Sequence, residues 1–280
     1  MATTTPHVFA RHPQLPHIEM RTAQGSDACY WTHTHDEYSV GIIDAGSATY
    51  GHGAHQSAVR AGMTVLVSPD LPHSCNPAPG QVWSYRMMYL QTPWVLRSLG
   101  LCAPDKSARA PAFKLPLLDS VSVYRRLDRI CKGIALVSNP LAIEESLLTL
   151  LGSTIGPHAN YPQGVSQPSP ALQRARDSIA ARLEEVVTLE GLARDCEMDA
   201  FQLIRKFKAA FGQTPHAFQL DQRINLSKRL LKQGHSLSEV AYRLGFADQA
   251  HFQRHFKKRH AVSPKAYVRV SSILSSPFTT

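Results

Sequence analysis

Two similar segments, 48 to 49 residues apart, constrain the fold of this 280-residue sequence more than any other feature. The repeated residues are Ala193 and Ala241, Phe207-Lys208 and Phe256-Lys257, and Pro215 and Pro264. A repeat of this length predicts one supersecondary unit that occurs twice. In each copy a short helical pattern is followed by a turn and a second helical pattern, which is typical of a helix-turn-helix.

The second copy, which begins at Ser236, has the expected signals at its helix boundaries. Ser236 and Glu239 have the spacing of a capping box, so we expect the first helix to begin there. Gly245 fits the turn because glycine accepts a positive φ angle without strain. Asp248 is the predicted N-cap of the second helix, and Asp199 is its counterpart in the first copy.

The second helix of each copy carries candidate DNA-contacting residues. Phe252 and Phe256 are one turn apart and are expected to face inward. The amide and cationic side chains of the same helix are then expected to face outward. Glutamine pairs well with adenine and arginine with guanine in the major groove, whereas lysine suits phosphate. We therefore predict contacts to double-stranded DNA from Gln249, Ala250, His251, Gln253, Arg254 and Lys257, and in the first copy from Phe201, Gln202, Arg205, Lys206 and Lys208. The alternative for the domain as a whole is a helical interaction domain with a solvated basic face. The alternative for each of these residues is that it contacts only phosphate or water.

The distribution of charge agrees with this placement. The net charge is +9, and residues 171–280 contain 18 Lys and Arg against 10 Asp and Glu. A basic region of this kind attracts polyanions. The sequence has no run of 18 apolar residues and no secretory signal, so we expect a cytoplasmic, nucleoid-associated protein without a membrane segment.

The remaining sequence divides by pattern into further segments. Short β-like runs separated by turn residues occupy residues 30–92 and predict a small sandwich or barrel. Apolar residues at helical spacing over 119–155, interrupted at Asn139-Pro140, predict two helices. Residues 156–170 are rich in proline and uncharged, which predicts a linker. The expected fold is α+β and multidomain: an effector-binding barrel over 1–118, a helical pair over 119–156, a linker over 157–171 and a DNA-binding domain over 172–272.

Residues 171–270 resemble the DNA-binding domain of the AraC/XylS (arabinose-regulator) family. The matching positions are 240–246 (VAYRLGF), Asp248-Gln249, Phe252, Arg254, Phe256-Lys257, Val262-Ser263-Pro264, Phe207-Lys208, Gly212, Thr214-Pro215 and Arg223. The resemblance implies a transcription regulator, usually an activator, that binds near promoters, works with RNA polymerase and is not an enzyme. Glu197 and Ala261 depart from the pattern, and an alanine at a left-handed helix end costs roughly 1 kcal/mol.

Histidines and aromatic residues of the N-terminal region suggest a ligand site. His33 and His35 share a strand face, and His73 would converge on them in an antiparallel barrel. This region looks like a cupin barrel, which the family's sensor domain also resembles. We favour a small-molecule effector pocket, because aromatic walls with a few polar groups are typical of such sites. The predicted pocket residues are Trp31, His33, His35, Tyr38, His73, Arg86 and Tyr89. Arg86 would pair with an effector carboxylate, or would instead lie on the surface.

Two other interpretations of the histidines remain open. His33, His35, Glu37 and His73 could together bind a divalent metal, although we expect no required cofactor. Glu37 departs from the common cupin spacing. Alternatively, the histidines are ordinary strand-edge residues. The alternative function is a cupin-type metal-dependent enzyme or metal sensor fused to a DNA-binding domain.

The helical pair over 119–155 has two possible uses for its apolar residues. It is the candidate seam of a homodimer, and the alternative is a core within one chain. The sequence does not distinguish them.

Overall fold

The computed structural model describes residues 7–53, 55–101, 110–155, 168–185 and 187–273. They form two compact units, the first built from residues 7–29, 35–155 and 269–273 and the second from residues 30–34 and 168–268. Most of the linker predicted at 157–171 lies outside the described residues. Within the described residues, no helix is long and apolar enough to cross a membrane.

The first unit contains two antiparallel sheets and three helices. The large sheet has the strand order β1-β2-β8-β3-β6-β9, and the small sheet has the order β5-β4-β7. The elements in chain order are β1 (Val8–Ala10), β2 (Ile18–Ser26), β3 (Tyr38–Ala45), β4 (Ser47–His52), β5 (His55–Arg60), β6 (Thr64–Val67), β7 (Ser74–Asn76), β8 (Trp83–Leu90), α1 (Thr92–Ser98), β9 (Leu117–Leu118), α2 (Val121–Ala135) and α3 (Pro140–Thr154).

The large sheet is apolar on both faces, so it contributes to two cores. On β3, Val40 and Ile42 point to one core and Ile43 to the other, as strand alternation requires. We call the face that carries Ile43 the inner face. It packs against the small sheet, which contributes Tyr50 and Val59 to the same core. The two sheets thus enclose an apolar interior, as the predicted barrel requires.

The other face of the large sheet is covered by α2 and α3. Asn139 caps α3 through its side chain and Pro140 occupies the first turn, which confirms the predicted break between the two helices. Leu127 and Ile130 of α2 and Leu147 of α3 are buried in the core that they share with the sheet. The helical pair is therefore part of the same compact unit as the barrel, and most of its apolar residues serve a core within one chain.

The second unit is helical. Its helices are α4 (Pro170–Ala181), α5 (Leu189–Asp195), α6 (Ala200–Phe211), α7 (Pro215–Lys232), α8 (Leu237–Arg243) and α9 (Gln249–His260), and α10 (Pro264–Ile273) follows. The predicted capping box of Ser236 and Glu239 is present. The Asp248 carboxylate accepts a hydrogen bond from the His251 N–H at 2.5 Å, and Asp199 caps α6 in the same way. Ala261 ends α9 in the left-handed conformation, with φ 54°.

Helix α7 lies between the two helix-turn-helix units in the chain and is buried along most of its length. Phe218, Ile224, Leu230 and Leu231 are buried. Arg223 anchors this helix because its guanidinium donates to three backbone carbonyls, those of Leu183, Gly245 and Glu185, at 2.8 to 3.1 Å. One of these carbonyls belongs to the turn between α8 and α9, so Arg223 holds that turn in place.

Candidate DNA-reading surface and effector site

Helix α9 presents one apolar and one polar face. Phe252 and Phe256 are completely buried, as predicted. The predicted contact residues lie on the opposite side: Ala250, Arg254 and Lys257 are exposed, and Gln249, His251 and Gln253 are partly exposed. Within the described residues, Arg254 makes no hydrogen bond or ion pair, so its guanidinium is free to bind an acceptor. This arrangement suits insertion of α9 into a major groove.

Helix α6 repeats this arrangement in the first copy. Leu203, Phe207 and Phe211 are buried, whereas the predicted contact residues Phe201, Gln202, Arg205, Lys206 and Lys208 are all exposed. Phe201 is 74% exposed, which is unusual for a large aromatic side chain. An apolar side chain in this position can contact a thymine methyl group.

Two of the α9 candidates already have partners within the protein. The Ser238 hydroxyl donates to Gln249 Oε1 at 2.6 Å, which uses one of the two acceptor positions of that amide carbonyl. The His251 ring contacts Phe246 and His255, with ring centroids 5.6 and 4.6 Å away. These contacts restrain both side chains, whereas Arg254 has no hydrogen bond or ion pair within the described residues.

In the first unit, polar side chains gather on the inner face of the barrel. The His35 and His73 rings are 4.9 Å apart and the His35 and Tyr89 rings are 5.8 Å apart. His35 Nδ1 lies 2.8 Å from the Glu37 carbonyl oxygen and therefore donates to it, while Nε2 lies 3.2 Å from the Ser39 hydroxyl. The structure thus brings together three of the predicted pocket residues: His35, His73 and Tyr89.

Two further polar groups of the barrel interior were not among the predicted pocket residues. Among the residues that the structure describes, neither the buried Tyr50 hydroxyl nor the buried Trp83 indole N–H has a hydrogen-bond partner. Burial, and to a smaller extent the charge of Cys75, raises the pKa of Tyr50. Buried polar groups without partners are rare and call for an explanation. Tyr50 lies in a predicted strand, but the pairing of that strand was needed to show that it faces inward.

Two predicted pocket residues lie on the opposite face of the large sheet, which corrects their assignment. Tyr38 packs edge-to-face on Phe113 at 5.4 Å and donates its hydroxyl to the Pro111 carbonyl at 2.5 Å. Arg86 donates to both Asp44 oxygens at 2.7 and 2.9 Å and to Asp128 at 2.8 Å. The physical reason is strand alternation, because both residues have the opposite parity to the inner-face residues of their strands.

The Arg86 ion pairs border an open groove of about 660 Å³ lined by Thr22, Gln24, Asp44, Ala45, Ser84, Arg86, Asp128 and Lys132. The hydrogen bonds that Arg86 donates to Asp44 raise the pKa of Arg86. Asp128 is held ionised, since the hydrogen bond from Lys132 lowers its pKa. The two cations and two carboxylates balance one another, so the groove offers no net charge to a carboxylate effector.

Two other predicted pocket residues, Trp31 and His33, belong to the second unit rather than to the barrel. The predicted metal set is also overturned. Among the described residues, no three His, Cys, Asp or Glu side chains group to hold a metal ion. His33, His35, Glu37 and His73 therefore do not assemble into a ligand set.

Comparisons with known proteins agree with the division into two units. The AraC-like ligand binding domain model matches residues 15–151, and a helix-turn-helix domain model matches residues 192–269. An uncharacterised HTH-type transcriptional regulator, YbfI of Bacillus subtilis, is 26% identical over 84% of this chain and 86% of its own. The regulator MtrA of Neisseria gonorrhoeae is 35% identical over 30% of this chain and 28% of its own. The crystal structure of ToxT from Vibrio cholerae is similar in fold, with a TM-score of 0.58 and 12% identity over 91% of this chain and 98% of that chain. The chain therefore belongs to the AraC family of transcriptional regulators, with an N-terminal ligand-binding domain and a C-terminal helix-turn-helix domain that binds DNA.

Proposed function

We propose that α6 and α9 are the two helices that read DNA sequence, and that Arg254 is a base-reading residue of α9. The observation that supports this is the free, exposed guanidinium of Arg254 on the face opposite Phe252 and Phe256. A free arginine can pair with guanine through two hydrogen bonds. Lys257 is one turn closer to the helix C-terminus, where contact with phosphate is expected.

Substitution of these two residues separates base reading from phosphate binding. Arg254→Ala is expected to cost about 1–3 kcal/mol at a cognate site and to relax the preference at one base pair. Lys257→Ala is expected to weaken binding to all DNA fragments alike. It should also reduce the slope of log affinity against log salt concentration by about one unit. Binding is measured by fluorescence anisotropy with fragments that the purified protein selects from random DNA, and with scrambled fragments. Equal weakening of both fragments by Arg254→Ala would contradict the assignment.

We infer that the effector binds at the inner face of the barrel, beside His35, His73 and Tyr89. The unpartnered Tyr50 hydroxyl supports this, because the Tyr50 ring lies 6.5 Å from the His73 ring and the hydroxyl can donate to an acceptor on a bound molecule. The effector class is thus a largely apolar molecule with oxygen or nitrogen acceptors. One ToxT structure contains an unsaturated fatty acid. Arg86, on which the expectation of a carboxylate rested, is already ion-paired, so fatty acids and their uncharged alcohols belong in the same screen.

The Tyr50→Phe substitution tests whether this hydroxyl is reserved for a ligand. Without ligand the variant is expected to be at least as stable as the wild type, because a buried unpaired hydroxyl costs about 1–3 kcal/mol. Affinity for an effector found by thermal-shift screening should fall by roughly 1 kcal/mol, the net value of a neutral hydrogen bond. The matched control is Tyr124→Phe, whose hydroxyl donates to Asp44 at 2.9 Å and whose loss should be destabilising. Equal destabilisation by both variants would contradict the proposal that the Tyr50 hydroxyl binds an effector.

We also infer a homodimer. Leu136, Val137 and Leu141, at the connection between α2 and α3, are 55–78% exposed although they are apolar. Exposed apolar groups of this kind often mark protein interfaces. That the protein activates transcription through RNA polymerase stays a prediction.

A further inference from the structure

Residues Tyr30–Thr34, which we call the strap, are part of the second unit although they are distant from it in sequence. The chain belongs to the first unit up to Cys29 and again from His35. The strap is thus a short insertion of N-terminal sequence into the DNA-binding unit. The sequence-based prediction had placed Trp31 and His33 in the effector pocket.

The strap is held on α7 by hydrogen bonds to buried groups. Thr34 donates to Asp221 Oδ2 twice, from its N–H at 2.7 Å and from its hydroxyl at 2.6 Å. The Thr34 carbonyl accepts from Asn225 at 3.0 Å, and the Thr32 carbonyl accepts from Gln213 at 3.2 Å. Thr34 is 2% exposed and Asp221 is completely buried. Hydrogen bonds to a buried charged group are stronger than neutral ones, so the strap is firmly docked.

The same carboxylate connects the strap to α9. Asp221 Oδ1 accepts from Arg259 Nε at 3.1 Å, and Arg259 is 4% exposed. Burial raises the pKa of Asp221, whereas the hydrogen bonds from Thr34 and the charge of Arg259 oppose this rise and favour the ionised carboxylate. A buried ion pair of this kind fixes geometry only when each remaining lone pair has a donor, and Thr34 supplies two of those donors.

Trp31 makes a second connection to α9. Its backbone N–H donates to the Lys258 carbonyl at 3.3 Å, and the Lys258 ammonium lies 3.9 Å from the centre of its ring. The Trp31 ring also meets the His255 ring edge-on at 6.2 Å. The strap therefore contacts His255 and Lys258 directly and reaches Arg259 through Asp221, and all three lie in the C-terminal half of the helix that carries Arg254.

We propose that the strap positions the recognition helix α9, with Thr34 as a positioning residue that acts through Asp221 and Arg259. Base reading requires side chains held within a fraction of an ångström of the productive geometry by supporting contacts. The strap supplies such contacts between α7 and α9. If the strap undocks, the cations of α9 can still contact phosphates. The helix, however, loses the fixed orientation that base reading requires. The inference rests on the proposed reading of DNA by α9.

The test measures affinity of the full chain for a selected cognate fragment and for a scrambled fragment. Thr34→Val keeps the shape and the N–H donor but removes the hydroxyl, and about a tenfold loss at the cognate fragment is expected with little change at the scrambled one. Thr34→Ser should restore the affinity, because it keeps the hydroxyl. Thr149→Val is the matched control, since the Thr149 hydroxyl donates only to Glu145 of its own helix. Circular dichroism establishes that each variant is folded.

Trp31→Ala provides the decisive measurement if Thr34→Val does not fold, because Trp31 is half exposed and its loss leaves no buried cavity. It should lower the ratio of cognate to scrambled affinity several-fold. An unchanged ratio in the folded strap variants, together with a lower ratio in Arg254→Ala, would overturn the strap proposal alone. An unchanged ratio in Arg254→Ala would instead contradict the proposed reading by α9.

Discussion

The two copies of the repeat place glycine differently at their left-handed positions. The turn after α5 has Glu197 at φ 54°, where the turn after α8 has Gly245 at φ 64°. Helix α6 ends on Gly212 at φ 71°, where α9 ends on Ala261 at φ 54°. A side chain in this region costs roughly 1 kcal/mol or more relative to glycine. Each copy therefore has one relaxed position and one strained position.

Ala261→Gly is expected to stabilise the DNA-binding unit by about 0.5–1 kcal/mol, because relief of left-handed strain exceeds the greater freedom of glycine in the unfolded chain. Thermal unfolding followed by circular dichroism measures the change. The reverse substitution at the equivalent position, Gly212→Ala, is the control and should destabilise by a similar amount. A lower unfolding temperature for Ala261→Gly would contradict this, because it would mean that packing of the Ala261 methyl group stabilises the fold by more than the backbone strain destabilises it.

At the scale of elements, the helices of the second unit were predictable from local signals. The caps at Asp199, Ser236 and Asp248 and the buried Phe252 and Phe256 follow from side-chain type and helical spacing alone. Such signals act within one or two helical turns, so they are readable without knowledge of the fold.

The barrel was less predictable because its faces depend on strand pairing. The short runs identified strands, but which residues of a strand point inward is set by its register with neighbours. Tyr38 and Arg86 were therefore assigned to the wrong face, and Tyr50 was missed. The strap depends on contacts between residues nearly 190 positions apart. The one sign of the strap in the sequence is Asp221, because it places an acidic residue in the middle of α7, a helix that is buried along most of its length.

At the scale of the whole molecule, one peptide bond joins the strap to the proposed effector site. Thr34 is hydrogen-bonded to Asp221, and the next residue, His35, lies on the inner face of the barrel beside His73 and Tyr89. A ligand changes DNA binding only if it has different affinities for two arrangements of the protein. Release of Thr34 from Asp221 would create a second arrangement, which would differ from the docked one at the residue that precedes His35.

The proposed homodimer makes a prediction about the full chain. Most apolar residues of α2 and α3 are used in the core with the large sheet, but Leu136, Val137 and Leu141 at their connection are exposed and available to a partner copy. Sedimentation velocity at micromolar concentration should show a dimer for the wild type and a monomer for Leu136→Ser/Leu141→Ser, because burial of each leucine contributes about 1.5–3 kcal/mol. Val121→Ser is the control, since Val121 is 63% exposed at the other end of α2. A wild-type chain that sediments as a clean monomer, or an unchanged dimer in the double variant, would remove this connection as the dimer seam.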